Sequence, residues 1–112
     1  MSSSTPLGEF EQLLLLAILR LGSDAYGVTI ASELEQRAGR RVSRGALYTT
    51  LERLEAKGLV RWKISAGARE RAGLPRRSYT VSARGLLMLR TSRQVLQRMW
   101  SGLDELLKEP AP

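Results

Sequence analysis

The 112-residue chain contains no cysteine and no histidine. Those two absences remove thiolate nucleophiles, Ser-His-Asp triads, Cys/His zinc sites and disulfide frameworks together. Its longest uninterrupted apolar run, Leu13 to Leu19, is far below the roughly 18 residues of a membrane span. Glu9 and Glu11 stand where a targeting segment would carry basic charge. The expectation is a soluble, uncleaved, cytoplasmic protein that is not an enzyme and needs no cofactor, with no membrane partner. The carboxylates Glu9/Glu11, Glu33/Glu35 and Asp104/Glu105 are neighbours only in sequence, on faces where helix charge is ordinary, so no acid/base pair or metal site stands out.

What the chain has is positive charge. Net charge is +7, and 15 of the 18 basic residues are arginine, whose planar fork suits phosphate and guanine. The charge is also unevenly placed. Residues 37–93 carry +12, whereas residues 1–36 carry −4 and residues 94–112 carry −1. Solubility would be served by mixed charge anywhere, so a positive middle points to a polyanionic partner. With 43% hydrophobic residues the length suits one domain with one core.

Helical spacing of Phe10, Leu13, Leu14, Ala17, Ile18 and Leu21 predicts a first helix from about Leu7 to Leu21, with Leu15, Leu16 and Leu19 off the main stripe and in need of a second covering layer. Asp24 is the expected cap of a second helix with Tyr26, Ile30, Leu34 and Ala38 inward, ended by Gly39. Ser43 caps a third, whose Leu47, Leu51 and Leu54 form one narrow stripe before Gly58. Its opposite surface holds Arg44, Gly45, Tyr48, Thr49, Glu52, Arg53 and Ala56. Leu59 to Ile64 and Arg77 to Val81 read as a hairpin around a loop with Gly67, Gly73 and Pro75, its arginines Arg69, Arg71, Arg76 and Arg77 clustered. Ser82 caps a last helix expected to reach about Leu107, with Leu89, Leu96 and Leu103 at heptad spacing and Met99 and Leu106 between them.

The stretches LLLLAILRLGSDAYGVTI (13–30), SRGALYTTLERLEAKGLV (43–60) and RRSYTVSARG (76–85) resemble the PadR family of winged helix-turn-helix transcriptional regulators. The most specific block is Gly45, Leu47, Tyr48, Leu51, Arg53, Leu54, Glu55, Gly58 and Leu59, followed by Arg77, Tyr79 and Gly85. Element order agrees with the resemblance: a mainly α fold with a small β-ribbon, winged helix-turn-helix plus a long C-terminal dimerisation helix. The expected organisation is a flexible start over 1–7, a DNA-binding domain over 8–81, a dimerisation helix over 82–107 and a tail over 108–112.

The resemblance implies a homodimeric repressor binding double-stranded DNA at a (pseudo)palindromic operator. Ser43, Arg44, Gly45, Tyr48, Thr49 and Arg53 of the third helix, with Arg69, Arg71, Arg76 and Arg77 of the wing, are the expected DNA contacts. Leu15, Leu89, Leu96, Met99, Trp100, Leu103 and Leu106 are the expected dimer contacts. Some relatives of the family bind flat aromatic compounds between tryptophans at the dimer centre, which makes Trp100 the candidate for a small aromatic effector. The arginine excess alone also allows a basic RNA- or ribosome-associated module.

Overall fold

The structure is a computed structural model and describes residues 7–65 and 76–108. Three helices come first: α1 (Glu9–Leu21), α2 (Gly27–Ala38) and α3 (Arg44–Ala56). The antiparallel strands β1 (Val60–Ser65) and β2 (Arg76–Val81) follow, and then α4 (Ala83–Trp100). Mainly helical architecture with one two-stranded ribbon is therefore what the sequence pattern predicts.

Local chemistry explains most boundaries. Ser43 accepts the Ala46 N–H at 3.1 Å to start α3, and Gly39 and Gly58 sit at φ +64° and +77°, a left-handed conformation that costs glycine little. Ser82 does two things. Its hydroxyl accepts the Gly85 N–H at 3.0 Å, capping α4, and donates to the Gly58 carbonyl at 2.7 Å, tying the end of α3 to the start of α4. The cap of α2 differs from expectation. Asp24 belongs to a short 3-10 turn, Tyr26 occupies the cap position, and the Thr29 hydroxyl accepts the Tyr26 N–H at 2.9 Å, the part that the N3 side chain plays in a capping box.

Leu14, Leu15, Ile18, Ile30, Leu34, Leu51, Leu54, Leu59 and Val60 fill the core. Leu15 is fully buried inside one chain, which corrects its assignment to a dimer contact: the second layer over α1 is the chain's own, and of its apolar residues only Leu16 and Leu19 remain open. Leu7, at the boundary between the expected flexible start and the first helix, is buried too. Gly85 shows why α4 begins so close to the ribbon, since a Cβ there would lie 2.4 Å from the Leu59 carbonyl oxygen.

The last helix is shorter than predicted. It stops at Trp100, and Gly102 at φ +84° opens a turn before a short 3-10 segment over Asp104–Leu107. Leu103 and Leu106 therefore lie beyond α4 and do not continue its seam. Leu89 is half-buried on the core rather than turned outward. Leu96, Met99 and Trp100 are open, at 49%, 70% and 45% exposure.

Candidate nucleic-acid interface

The helix-turn-helix is α2, the turn at 39–43, and α3. Leu47, Thr50, Leu51 and Leu54 bury one side of α3, which leaves Arg44, Gly45, Thr49, Glu52 and Arg53 on the open side. The neighbouring threonines are divided by that geometry. Thr50 faces in and its hydroxyl donates to the Ala46 carbonyl at 2.9 Å, while Thr49 faces out with its hydroxyl available. Around Gly45 no atom lies within 4 Å of where a Cβ would be, so a base pair could approach the backbone there. Acids enter only from Glu52 onward, so the N-terminal half of α3 is the part suited to the electronegative edges of a major groove.

Tyr48 behaves differently from its neighbours. It is half-buried, with its hydroxyl so near α2 that a Cβ on Gly27 would stand 2.1 Å from it. Its ring thus packs the helix pair together, which reduces it from an exposed groove contact to an edge residue. Ser43 is spent on capping through its side chain. Arg53 is exposed.

Among the described residues, four cations of the positive block are paired with acids. Arg37 pairs with Glu33 at 2.7 Å, Arg40 with Glu9 at 3.1 Å and Arg41 with Glu35 at 3.2 Å. Lys57, at the end of α3, donates to Glu11 at 2.9 Å. Glu11 is buried on α1, and its other oxygen accepts the Gly8 N–H at 3.1 Å. Burial alone would raise its carboxyl, but the bonds from Lys57 and Gly8 and the charges of Lys57 and Arg53 outweigh it and hold the pKa below the ordinary 4.5. Sequence reasoning treated Glu11 as part of a solvated face, because its partner lies in another helix.

In the ribbon, residues opposite each other share a face: Trp62 with Tyr79, Ile64 with Arg77, Lys63 with Ser78, and Ser65 with Arg76. Arg77 lies over the Trp62 ring, its Cζ 4.1 Å from the centroid. Below it the Tyr79 hydroxyl is buried without a well-aligned hydrogen bond among the described residues. Burial raises its pKa above 10.0, and the nearby Arg77 partly counters that. Arg76 lies over the Tyr26 ring at 3.6 Å. Arg61 and Lys63, which the sequence reading passed over, are exposed cations on the same ribbon. Arg69 and Arg71 lie outside the described residues.

The fold and the open, acid-free start of the recognition helix agree with the family comparison, in which the model of the transcriptional regulator PadR-like family matches residues 15–91. The chain belongs to this family. Among solved structures, a PadR family transcription regulator from hypervirulent Clostridium difficile is 23% identical, with a TM-score of 0.69, over 88% of this chain and 99% of that one. A PadR-like transcriptional regulator from Bacillus cereus is also 23% identical, with a TM-score of 0.69, over 90% and 93%. A PadR family transcriptional regulator from Eggerthella lenta is 26% identical, with a TM-score of 0.64, over 91% and 88%. No curated protein matches the sequence. PadR-like transcription regulators are non-enzymatic DNA-binding proteins. Among the described residues no group of acids could hold a metal ion, and no helix is long and apolar enough to cross a membrane.

Proposed function

We propose that this PadR-like regulator is a cytoplasmic homodimeric repressor that reads a (pseudo)palindromic operator with the N-terminal half of α3 and neutralises flanking phosphates with its ribbon. The observation that carries this is a pairing of surfaces on one chain: an open, acid-free start of α3 and an uncovered apolar run along α4, where Leu96, Met99 and Trp100 stand in solvent. Large exposed apolar side chains on one helix favour a second copy as their cover, and a two-fold partner supplies a second recognition helix. Arg44, Gly45 and Thr49 are the base-reading candidates. Arg53, Arg69, Arg71 and Arg77 are the phosphate candidates. The family favours duplex DNA over the RNA-associated alternative.

A small flat apolar effector is part of the proposal. A groove of about 300 Å³ runs between the start of α1 and α4, lined by Leu7, Gln12, Met88, Thr91, Ser92, Val95 and Leu96, at the lower end of the size range of small-molecule sites. Trp100 lies one turn further along α4. Planar aromatic compounds should quench tryptophan fluorescence and weaken operator binding, and Trp100→Ala should remove both effects; unchanged quenching in that variant would take Trp100 out of the site.

The DNA reading is tested by titrating the protein against its own upstream duplex and a random duplex at several salt concentrations. The operator should be preferred by at least a thousandfold at physiological salt, on the order of the usual specificity ratio. Thr49→Ala should narrow that gap by roughly tenfold and leave the salt slope unchanged. A uniform loss on both duplexes would mean that α3 does not read sequence.

A further inference from the structure

Charge alone assigns Arg76 to a DNA phosphate, but its position assigns it another neighbour. Its Cζ lies over the Tyr26 ring, 3.6 Å from the centroid, and its Nε is buried. Tyr26 is the cap residue of α2, and Arg76 is the first residue of β2. The stack therefore joins the outer end of the paired ribbon to the helix-turn-helix.

A second link lies three residues along the same strand, where the Tyr79 N–H donates to the Ala25 carbonyl at 2.9 Å. Val60, Tyr79 and Val81 are buried in the core and hold the inner end of the ribbon, and a contact at its outer end adds to them in fixing its direction. Tyr26 is itself held, because the Thr29 hydroxyl accepts its N–H at 2.9 Å and donates to the Asp24 carbonyl. Arg76 faces Ser65, at the end of the ribbon opposite the buried Val60–Val81 pair. A contact there has the longest lever over the direction of the ribbon and of the cations Arg61, Lys63 and Arg77 that it carries.

We infer that the Arg76–Tyr26 stack is a positioning joint that sets the angle of the wing against α3 and thereby contributes to operator specificity. On the operator, base contacts fix the register of α3, so the wing must reach one set of phosphates. On random DNA the register is loose and a misdirected wing finds other phosphates. Loss of the joint therefore weakens operator binding and spares random binding. The planar guanidinium is essential to this role, since a lysine keeps the charge and gives up the flat stacking surface. The inference rests on the DNA reading above.

The test compares wild type, Tyr26→Phe, Tyr26→Leu, Arg76→Lys and the double variant Tyr26→Leu/Arg76→Lys, all as full chains, on operator and random duplexes over a range of salt. Tyr26→Phe keeps the ring and should bind as wild type does. Tyr26→Leu and Arg76→Lys should each lower operator affinity about fivefold, the scale of a partly desolvated cation–π contact. Random-duplex affinity and salt slope should be unchanged, and the double variant should be no worse than either single. Without DNA, amide exchange at Tyr79 should be faster in both single variants and normal in Tyr26→Phe. Wild-type binding by Arg76→Lys would reduce Arg76 to a charge and overturn the joint, as would additive losses in the double variant. Unchanged Tyr79 exchange overturns it independently of any DNA result. A wild-type chain without operator preference overturns the DNA reading and the specificity role built on it, while the exchange data still decide whether the joint exists.

Discussion

The first and last helices both repeat leucine at helical spacing, and they bury it against different things. On α1, Leu14, Leu15 and Ile18 are sealed by α2, β2 and the turn that follows, with Leu16 and Leu19 left at the rim. On α4 only Gly85, Met88 and Leu89 meet the core, and everything from Val95 onward stands open. α1 is the more apolar of the two, with nine apolar residues in 13 against nine in 18 on α4, but position in the fold decides what covers each. α1 lies centrally and packs against most other elements, whereas α4 comes last and meets mainly α1 and β2. Periodicity reports that a helix face will be covered, and the surrounding topology decides whether the cover is the same chain or another molecule.

The largest effect should come from the sealed side. Leu51→Ala removes a fully buried side chain from α3, and should cost about 2–5 kcal/mol in denaturant unfolding. Leu96→Ala on the open side should leave the unfolding midpoint of a dilute sample close to wild type. The reverse ranking would mean that α4, and not the α1–α3 unit, holds the core.

The same contrast explains what could be read in advance. Elements bounded by local chemistry were legible: the Ser43 and Ser82 caps, the Gly39 and Gly58 stops, and the alternating ribbon each depend on residues a few positions apart. The end of α4 was also marked, by Gly102, but the heptad spacing through Leu103 and Leu106 spans the break and outweighed it. Leu15 was misassigned because a leucine off the main stripe looks the same whether its cover is intra- or intermolecular. The site was legible in part. The outward set Arg44, Gly45 and Thr49 follows from helical phase, whereas the Tyr48 packing on Gly27, the Lys57–Glu11 pair and the arginine stacks on Tyr26 and Trp62 depend on contacts between distant segments. Arginine clusters read as free charge until the structure shows which rings they cover.

An intermediate effect should come from the open side once concentration is raised. If a second copy covers Leu96, Met99 and Trp100, wild-type Tm should rise with protein concentration, with about 2.7 kcal/mol gained a hundredfold above the dissociation constant. Leu96→Asp combined with Met99→Asp should sediment as a monomer and show one Tm at all concentrations. A dimer that survives both changes would move the interface away from α4 and remove the basis for the paired recognition helices.

The smallest effect concerns how the sealed side is held at its polar edge. Glu11 joins the start of α1 to the end of α3 through Lys57, while Glu105, beyond α4, meets Lys108 at 3.2 Å with both side chains largely in solvent. The folded-state pKa of Glu11 is held below 4.5, so its unfolded form binds the proton more tightly. The stabilisation is therefore fully present above pH 4.5 and disappears as pH falls through the lower folded value. Glu11→Gln keeps an acceptor for the Gly8 N–H and gives up the charge facing Lys57, so at pH 7 it should cost about 1 kcal/mol, a modest figure because Lys57 is partly exposed. Thermal unfolding across pH should show the wild-type and Glu11→Gln curves separated at neutral pH and converging in acid. Glu105→Gln should follow wild type throughout, as an exposed pair contributes little. Superimposable wild-type and Glu11→Gln curves from neutral pH into acid would show that the ion pair does not brace α3, and that apolar packing alone holds the recognition helix in place.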